Sequence, residues 1–489
     1  MRIHGITSAA MIVVAVTVTA ATAQLPDVPT GSIEVRLDLV ATGLSAVEPG
    51  SGVTQVAPTK LVPGGSARLF VTTLGGVVRL VDQSQLLSAA YLDTTNPNSF
   101  NDPGRHGMTA MAFHPDFYNP GQAGYRRVYT IGDELLGSGS GGTWDFPTSA
   151  PDSSSPVTPF DQVLLEWIAD DPDADMFSGS SRELFRVRQP KDDHNINDLE
   201  FGPDGCLYVA VGNGGNVRLH QLPPPGMEGL SDNAQRLDVI FGKVLRIDPL
   251  DPNLPPTSTD PVSANGNYRI AQGNPLVGIA GQVEEIYSWG HRNPYRINFD
   301  PVSANLYAGD VGQRSIESVD DVTLGGNFGW NLKEGSFVFD FDTQTVTPDV
   351  DTGSGTVAGN FGLTDPIFEY DHADGRAVVG GFVYRGSDVA ALVGKYVFAD
   401  FQGGPQGGRL FYGDLATGDL FEFQLDASGT ALPDLVYSLG QDDAGELYVL
   451  GGPFNASDGV VLRIVPEPAA VGWIGAFGLL TRRRRGGVT

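Results

Sequence analysis

The sequence predicts an all-β fold, a six-bladed β-propeller. Of the 489 residues, 64 are glycine, 34 are proline and only 18% are charged, which suits short strands joined by tight turns better than a helical bundle. The chain is long enough to bury a large core. A strand–turn–strand unit also recurs six times along it. The alternative to a propeller is a sandwich or a pair of barrels.

The recurring unit is clearest in LEFGPDGCLYVAVGNGG at 199–215, where a short apolar strand leads through a Pro/Asp/Gly turn into a second strand. The other copies lie at 62–76, 111–133, 297–312, 394–414 and 442–452. A single hairpin cannot bury its apolar face, so the copies must pack on one another. Radial packing leaves few exposed edges, and we expect one propeller domain over residues 33–465.

Both ends of the chain look like targeting segments. Residues 1–23 have the charge, the apolar run and the small-residue cleavage site of a secretory signal. Residues 466–489 begin with a Pro-Glu-Pro triplet, and a short apolar run and four arginines at 482–485 come after it. This segment resembles the bacterial Pro-Glu-Pro sorting signal that an exosortase processes. The sequence therefore predicts an exported protein, periplasmic, cell-surface or extracellular, that meets a membrane only through its C-terminal segment.

Charge and cysteine content narrow the classes of function. The formal net charge of −28 argues against a nucleic-acid partner, because phosphates would be repelled. The single cysteine, Cys206, excludes an intrachain disulfide. We interpret it as a small buried residue of a strand rather than a nucleophile.

His194 is the first candidate for chemistry. It lies in DDHNINDLEF at 192–201, at a junction between a loop and a strand, where a side chain can project into a central site. The adjacent carboxylate of Asp193 should favour the protonated imidazole. The alternative is a surface histidine in a polar loop.

Arg292 and Asn293 form the second candidate, in GHRNPYRINFD at 290–300. They lie in a loop between two predicted strands, and Pro294 stiffens its exit. An Arg–Asn pair held in this way suits an oxyanion or a carbonyl ligand. The alternative is a structural arginine that ties down acidic loops. We expect His291 to pack or to cap a turn.

A third candidate is the segment GDVGQRSIESVDDV at 309–322. It places the backbone carbonyls of Gly312 and Gln313 near three carboxylates, those of Glu317, Asp320 and Asp321. Hard oxygen ligands in a Gly-rich loop suit Ca²⁺. Loop acids that bind no metal are the alternative in so acidic a chain.

Several segments, in order between about 107 and 450, resemble the glucose/sorbosone dehydrogenase family. They are DDHNINDLEFGPDGCLYVAVGNGG, GKVLRIDP, IYSWGHRNPYRINFDP, LYAGDVGQRSIESVD, GGNFGWNLKEG, PIFEYDH and GGFVYRG. The resemblance implies an exported six-bladed propeller that oxidises a sugar or a related polyol with pyrroloquinoline quinone and Ca²⁺.

The resemblance also implies a role for each candidate residue. His194 would be the general base, supported by Asp193 and by Asn213. Arg292 would polarise a carbonyl of the quinone. The implied cofactor contacts are Arg292, Asn293 and Tyr295, and the implied calcium ligands are Gly312, Gln313 and Glu317.

The chain departs from the family pattern at several positions. Asn213 stands where members of the family carry an aspartate, which orients the histidine and stabilises its charged form. Gln402 or Gln406 falls at the cofactor-binding lysine, and the two late arginines fall near Leu435 and Tyr437.

A second branch of this propeller, similar to the hedgehog-interacting protein ectodomain, is a binding module, and the segment PIFEYDHADGRAVVGGFVYRG is closer to it. Three hypotheses follow: a quinone-dependent oxidoreductase, a carbohydrate- or protein-binding propeller, and a Ca²⁺-dependent lactonase-like hydrolase.

Overall fold

The fold is described from a computed structural model of the chain. It describes residues 25–44, 58–63, 68–95, 107–135, 144–148, 160–191, 193–215, 233–254, 258–340, 345–350, 362–402, 407–452 and 459–468. The predicted signal at 1–23 lies outside these residues, as do positions 469–489 of the predicted sorting segment. No helix in the described ranges has the length and apolar character needed to cross a membrane.

The described residues form strands and two short 3-10 helices, Asn233–Gln235 and Ala390–Leu392, which confirms the all-β prediction. The strands are β1 (Thr30–Ala41), β2 (Pro58–Pro63), β3 (Arg68–Thr73), β4 (Val77–Asp82), β5 (Gln85–Asp93), β6 (Ala110–Phe113), β7 (Arg127–Leu135), β8 (Phe160–Ala169), β9 (Gly179–Arg188), β10 (Ile196–Phe201), β11 (Leu207–Val211), β12 (Lys243–Asp248), β13 (Arg269–Ile270), β14 (Ile286–Trp289), β15 (Pro294–Phe299), β16 (Leu306–Asp310), β17 (Ile316–Val322), β18 (Lys333–Glu334), β19 (Phe337–Asp340), β20 (Thr345–Val350), β21 (Phe368–Asp371), β22 (Val378–Val383), β23 (Tyr396–Asp400), β24 (Arg409–Gly413), β25 (Leu420–Leu425), β26 (Leu435–Gln441), β27 (Leu447–Gly452) and β28 (Val460–Pro466).

These strands are arranged in sheets that follow chain order closely. Three sheets have four strands each: β2 to β5, β6 to β9, and β15–β16–β17–β21. A five-stranded sheet contains β10 to β14, and a three-stranded sheet contains β18 to β20. The largest sheet runs β22–β23–β24–β25–β1–β28–β27–β26. In it β1 pairs in parallel with β25 and antiparallel with β28, so it joins the four strands β22 to β25 to the three strands β26 to β28.

Six edge strands stand side by side in a closed ring. In the order β2, β6, β10, β15, β22 and β26, each strand contacts the next, and β26 contacts β2. The C-terminal residues Phe113, Phe201 and Phe299 of β6, β10 and β15 line one common cavity, so these three strands run in the same direction. The loops that enter β10 and β15 therefore meet at the opposite end of the ring, where His194 and Arg292 lie.

The hydrophobic core fills the spaces between neighbouring sheets. Leu164 of β8 and Leu245 of β12 belong to one buried cluster, so the sheet β6 to β9 packs face to face on the next one. Cys206 is buried in a second cluster, and burial raises its pKa, which agrees with the apolar role predicted for it.

The predicted repeats correspond to hairpins of these sheets. In the copy at 199–215, β10 pairs antiparallel with β11, and Gly205 supplies a positive φ of 77° in the turn. Four copies begin within the ring strand of a sheet, and the copy at 442–452 begins one residue after the ring strand β26 ends. The copy at 394–414 is shifted by one strand, since it spans β23 and β24 and its ring strand is β22. Inner and middle strands are both buried and apolar, so the sequence pattern does not distinguish them.

Candidate functional site

Arg292 and Asn293 lie in the loop between β14 and β15, and one buried carboxylate holds that loop. Asp310, the last residue of β16, accepts the backbone N–H of Arg292 at 2.9 Å and that of Asn293 at 2.6 Å. The backbone N–H of Val311 donates to the Asn293 carbonyl at 3.1 Å. Hydrogen bonds to an ionised acceptor are stronger than neutral ones, so Asp310 fixes the loop firmly. No sequence pattern indicated this role for Asp310.

The guanidinium of Arg292 is buried and aimed at the neighbouring loop. Its Nε and Nη2 donate to Gln313 Oε1 at 3.0 and 2.6 Å, and its Nη1 donates to the Val311 carbonyl at 2.7 Å. Its Cζ lies 5.5 Å from the centroid of the Trp330 ring. Burial lowers the pKa of Arg292, while the carboxylates of Glu334 and Glu317 act in the opposite direction. An arginine remains charged under these conditions, so the site contains a fixed, oriented cation.

His194 precedes β10 by two residues, and Asn213 holds its ring. Its Nδ1 lies 2.8 Å from Asn213 Oδ1, and the same oxygen accepts the backbone N–H of Gly215 at 3.1 Å. The Gly215 bond assigns that atom as the amide oxygen, which can only accept. Nδ1 therefore carries the ring proton, and Nε2 carries the lone pair. The backbone of His194 is left-handed, with φ of 53°, a conformation uncommon outside glycine.

The pKa of His194 is lowered to about 4, chiefly by burial and then by the charge of Arg292. Asp193 acts in the opposite direction, with its Oδ1 3.6 Å from Nε2, but its side chain is exposed. Asp193 therefore favours the protonated imidazole, as predicted, but burial of the ring and the charge of Arg292 outweigh this one solvated carboxylate. At neutral pH the ring is uncharged.

Asn213 and Gly212 join the His194 loop to the Arg292 loop. The backbone N–H of Asn213 donates to the Arg292 carbonyl at 2.8 Å. A Cβ on Gly212 would lie 2.4 Å from the His194 carbonyl oxygen and 2.7 Å from Asn293 Oδ1, so only glycine permits this approach. The structure thus brings together His194, Asn213, Arg292 and Asn293.

Asn197 is a further member of the cluster that the sequence analysis missed. Its Nδ2 donates to Asn293 Oδ1 at 2.8 Å across a separation of 96 positions in the chain. This contact orients the Asn293 amide. No local pattern announces it, because an asparagine in a strand that leads out of a loop is unremarkable in itself.

The loop that contains Gly312 and Gln313 is shaped by the buried carboxylate of Glu334. Its Oε1 accepts the backbone N–H groups of residues 313, 314, 315 and 316 at 2.8 to 3.0 Å. In a trans peptide the carbonyl of one residue points opposite to the N–H of the next. The carbonyls of Gly312 and Gln313 therefore both point away from Glu334, side by side. Two parallel carbonyls are a suitable start for a site that binds a hard cation.

Glu317, the third predicted calcium ligand, supports this loop from within the sheet. It is fully buried, and its Oε2 accepts the backbone N–H groups of Gly312 and Val378 at 3.1 and 2.9 Å. Its Oε1 lies 2.9 Å from His372 Nε2. These contacts place Glu317 as a clamp for Gly312, and its role as a metal ligand stays a prediction.

The contacts recorded for Tyr295 and for the atypical positions are with residues outside this cluster. The Tyr295 ring lies 4.2 Å from Arg296 Cζ and packs on a core cluster of the largest sheet. Leu435 is buried in β26, and the Tyr437 ring lies 5.7 Å from that of Phe401. The backbone N–H of Gln402 donates to Asp400 at 2.9 Å, and Gln406 lies outside the described residues.

Arg409 does not replace the late arginines of the family pattern. Its guanidinium forms ion pairs with Glu422 at 2.7 Å and with Asp374 at 2.9 Å. A guanidinium occupied by two carboxylates offers little to a third. The cluster around His194 and Arg292 is therefore rich in polar groups. Leu435, Tyr437, Gln402 and Arg409, by contrast, supply no free cation for an anionic cofactor.

The fold is similar to that of solved sugar dehydrogenases. A solved apo-form of the soluble aldose sugar dehydrogenase from Escherichia coli is 21% identical, with a TM-score of 0.58, and the match covers 85% of this chain and 98% of that one. The PQQ-bound form of aldose sugar dehydrogenase from Streptomyces coelicolor is 20% identical, with a TM-score of 0.52, over 91% of this chain and 98% of that one. At this identity the likeness establishes the fold alone.

The chain belongs to the glucose/sorbosone dehydrogenase family, whose model matches residues 173–431. The HIPL1 protein of Arabidopsis thaliana is 29% identical over 367 residues, which are 70% of this chain and 50% of that protein. Quinoprotein glucose dehydrogenase B of Acinetobacter calcoaceticus is 26% identical over 281 residues, 56% of this chain and 50% of that protein. The mouse hedgehog-interacting protein is 24% identical over 366 residues, which are 72% of this chain and 42% of that protein. The chain thus spans about half the length of the curated relatives it matches.

Proposed function

We propose that this chain is an exported oxidoreductase that oxidises a sugar or a related polyol, with pyrroloquinoline quinone as electron acceptor and Ca²⁺ beside it. The observation that carries the proposal is the neutral His194 with its lone pair on Nε2, tied through Asn213 to the loop of the buried cation Arg292. A proton acceptor and a fixed cation in one site are what the removal of a proton and a hydride from an alcohol needs.

Each residue of the site has its own role in the proposed oxidation. When bound, the quinone would accept the hydride from the substrate carbon. His194 Nε2 takes the hydroxyl proton of the substrate, while Asn213 keeps the other ring proton on Nδ1. Arg292 would stabilise negative charge on a carbonyl oxygen of the quinone, and Asn293 would contact the same edge of the quinone. The carbonyls of Gly312 and Gln313 would hold the Ca²⁺ ion.

The fit of these residues to the quinone is good on one side only. Arg292, Asn293 and the paired carbonyls suit its reacting edge and a cation. The positions expected to hold its carboxylates, Leu435 and Tyr437, are not cationic, and the guanidinium of Arg409 is already paired with two carboxylates. The proposal therefore includes a cofactor held mainly at its reacting end, with lower affinity than a fully anchored one.

The architectural part of the proposal is a propeller of six blades within residues 33–465. It is supported by the closed ring of six edge strands, and by the division of the largest sheet at β1 into the four strands β22 to β25 and a second set of four that includes β1. Export through the segment 1–23 and exosortase processing of 466–489 are proposals that rest on the sequence of the two ends.

The second candidate is a propeller that binds a carbohydrate or a protein partner without oxidising it. The absence of cationic anchors at Leu435 and Tyr437 favours it, and so does the neutral Asn213 behind the histidine. The similarity to the hedgehog-interacting protein is compatible with this candidate.

The two candidates differ in an absorbance experiment. The purified chain is titrated with pyrroloquinoline quinone and Ca²⁺, and reduction of an electron-accepting dye is then measured with glucose and a panel of aldoses. We expect saturable binding and sugar-dependent dye reduction. His194→Ala should lower kcat by about 10²- to 10⁴-fold, because the general base is lost, and should leave quinone affinity within a few-fold.

The matched control is His114→Ala. His114 is also buried, and its pKa is also lowered to about 4, mainly by burial, but it lies at the other end of the ring. Its loss should leave kcat unchanged. A wild-type chain that neither binds the quinone nor reduces the dye with any sugar contradicts the oxidoreductase and leaves the binding propeller.

A further inference from the structure

A second cluster of polar side chains adjoins the Arg292 loop, and the function proposed above gives it no part in the reaction. It consists of His291, Asp310 and Asp320, all buried. His291 Nδ1 lies 3.7 Å from Asp310 Oδ2 and 3.6 Å from Asp320 Oδ2. One ligand-type atom from each of the three side chains lies within 4.8 Å of the other two.

The imidazole of His291 is held in a fixed orientation. Its Nε2 lies 2.9 Å from Ser288 Oγ, and its ring stacks on Phe328 with centroids 4.5 Å apart. Its Nδ1 therefore points at the two carboxylates, yet it has no hydrogen-bond partner although the residue is fully buried. A buried polar atom without a partner is costly and calls for an explanation.

The spacing of the three groups suggests one. Distances of 3.6 and 3.7 Å are longer than a hydrogen bond. Two ligands of a tetrahedral ion with bonds near 2.1 Å are separated by about 3.4 Å. Asp310 and Asp320 also line a cavity of about 20 Å³, which has room for a water as a further ligand. A cation between the three side chains would satisfy Nδ1 directly.

The charges around the cavity favour a cation as well. Asp310, Asp320 and Glu334 line it together with Arg292 and Lys333. Lys333 is paired with Asp365 at 2.5 Å, so its charge is already compensated. Two aspartates and a neutral imidazole neutralise a divalent ion. An imidazole nitrogen in the donor set suits Zn²⁺ or Co²⁺ better than Ca²⁺, which prefers oxygen.

We propose that His291, Asp310 and Asp320 bind one divalent transition-metal ion. This site is separate from the calcium site proposed at the carbonyls of Gly312 and Gln313, and it goes beyond the proposed oxidation. Asp310 also accepts the backbone N–H groups of Arg292 and Asn293, so the ion stiffens the loop that carries both residues. Each oxygen of Asp310 has a second lone pair for the ion.

The test uses the full chain after treatment with a chelator. Zn²⁺ is added in competition with a chromophoric chelator, and Co²⁺ is added while its visible absorption is recorded. We expect one equivalent of either ion, a Co²⁺ spectrum of low coordination number, and a rise in Tm on binding. A hundredfold excess of Ca²⁺ should not displace the ion.

Two variants and one control complete the test. Asp320→Asn, which is nearly isosteric, and His291→Gln should each weaken Zn²⁺ affinity by at least about tenfold. His372→Gln, which removes the nearby histidine paired with Glu317, should leave affinity unchanged. The proposal is overturned if the wild-type chain binds no stoichiometric ion, or if Asp320→Asn and His291→Gln bind it as tightly as wild type. The cluster would then be an ion pair of a protonated histidine with two aspartates.

Discussion

His194 and His291 are two buried histidines on either side of the Arg292 loop, and they have opposite properties. The side chain of His194 is 8% exposed and that of His291 is 0% exposed. Burial lowers the pKa of both. For His194 the nearby charge of Arg292 adds to this, and its pKa falls to about 4. For His291 the carboxylates of Asp310 and Asp320 outweigh burial, and its pKa is raised.

The difference shows that the partner at Nδ1, and not the depth of burial, decides what a buried histidine can do. A neutral amide oxygen from Asn213 orients His194 and leaves its other nitrogen with a lone pair. Two carboxylates around His291 create a site for a proton or a cation instead. Arg292 lies between them, since its carbonyl accepts from Asn213 and its N–H donates to Asp310.

Among the changes that test this comparison of the two histidines, the largest effect is expected at Arg292, which both sides share. Arg292→Lys keeps a positive charge but loses the fork that donates to Gln313 and Val311. In the proposed oxidoreductase we expect sugar-dependent dye reduction to fall by about 10²-fold, the cost of losing one preorganised donor. The measurement is kcat at saturating quinone and sugar.

Arg314→Lys is the matched control, because Arg314 lies on the neighbouring loop and is exposed. It should retain wild-type kcat. Equal activity of Arg292→Lys and wild type would show that Arg292 is structural, which is the alternative that the sequence left open.

Much of this comparison was predictable from the sequence, and the reasons are specific. The copy at 199–215 predicts β10 and β11 because its two short apolar segments and its Gly205 turn are local signals. The junction position of His194 and the loop position of Arg292 follow from the same strand boundaries.

The rest depended on contacts between distant segments. The Oε1 atom of Glu334 binds N–H groups 18 to 21 positions away, and Asn197 meets Asn293 at a separation of 96. Neither has a periodicity that sequence analysis could detect. The sequence predicts the sign of the Asp193 effect on the pKa of His194, but not the net shift, because it does not show that the ring is buried while the carboxylate is exposed.

A smaller effect is expected on stability. The imidazole of His194 takes a proton in the unfolded chain below its ordinary pKa of 6.5, but in the folded chain only below about 4. Between these values the unfolded state binds more protons, so this residue lowers the free energy of unfolding as pH falls through that window. At pH 5 its contribution is about 2 kcal/mol.

Urea unfolding at pH 7 and pH 5 measures this contribution. His194→Gln should lose less stability between the two pH values than wild type does, by about 2 kcal/mol. His114→Gln should behave in the same way, since the pKa of His114 is also lowered to about 4. An unchanged pH dependence in His194→Gln would mean that the ring is protonated in the folded chain.

The smallest effect, and the one that tests the comparison most directly, is expected from Asn213→Asp. This change gives His194 the kind of partner that His291 has. A carboxylate 2.8 Å from Nδ1 should raise the pKa of His194 by about one to three units, because it stabilises the imidazolium. A base of higher pKa accepts a proton more readily, provided that it is still mostly unprotonated at pH 7. We therefore expect kcat to rise a few-fold and the acidic limb of the pH–rate profile to shift to higher pH. Asn305→Asp, on an exposed turn, is the control and should change neither quantity. NMR titration of the His194 ring gives the pKa independently of activity, so the electrostatic argument can be judged even in a chain that oxidises no sugar. A pKa that stays near 4 in Asn213→Asp would show that burial of the ring, and not the charge of its partner, separates the two histidines.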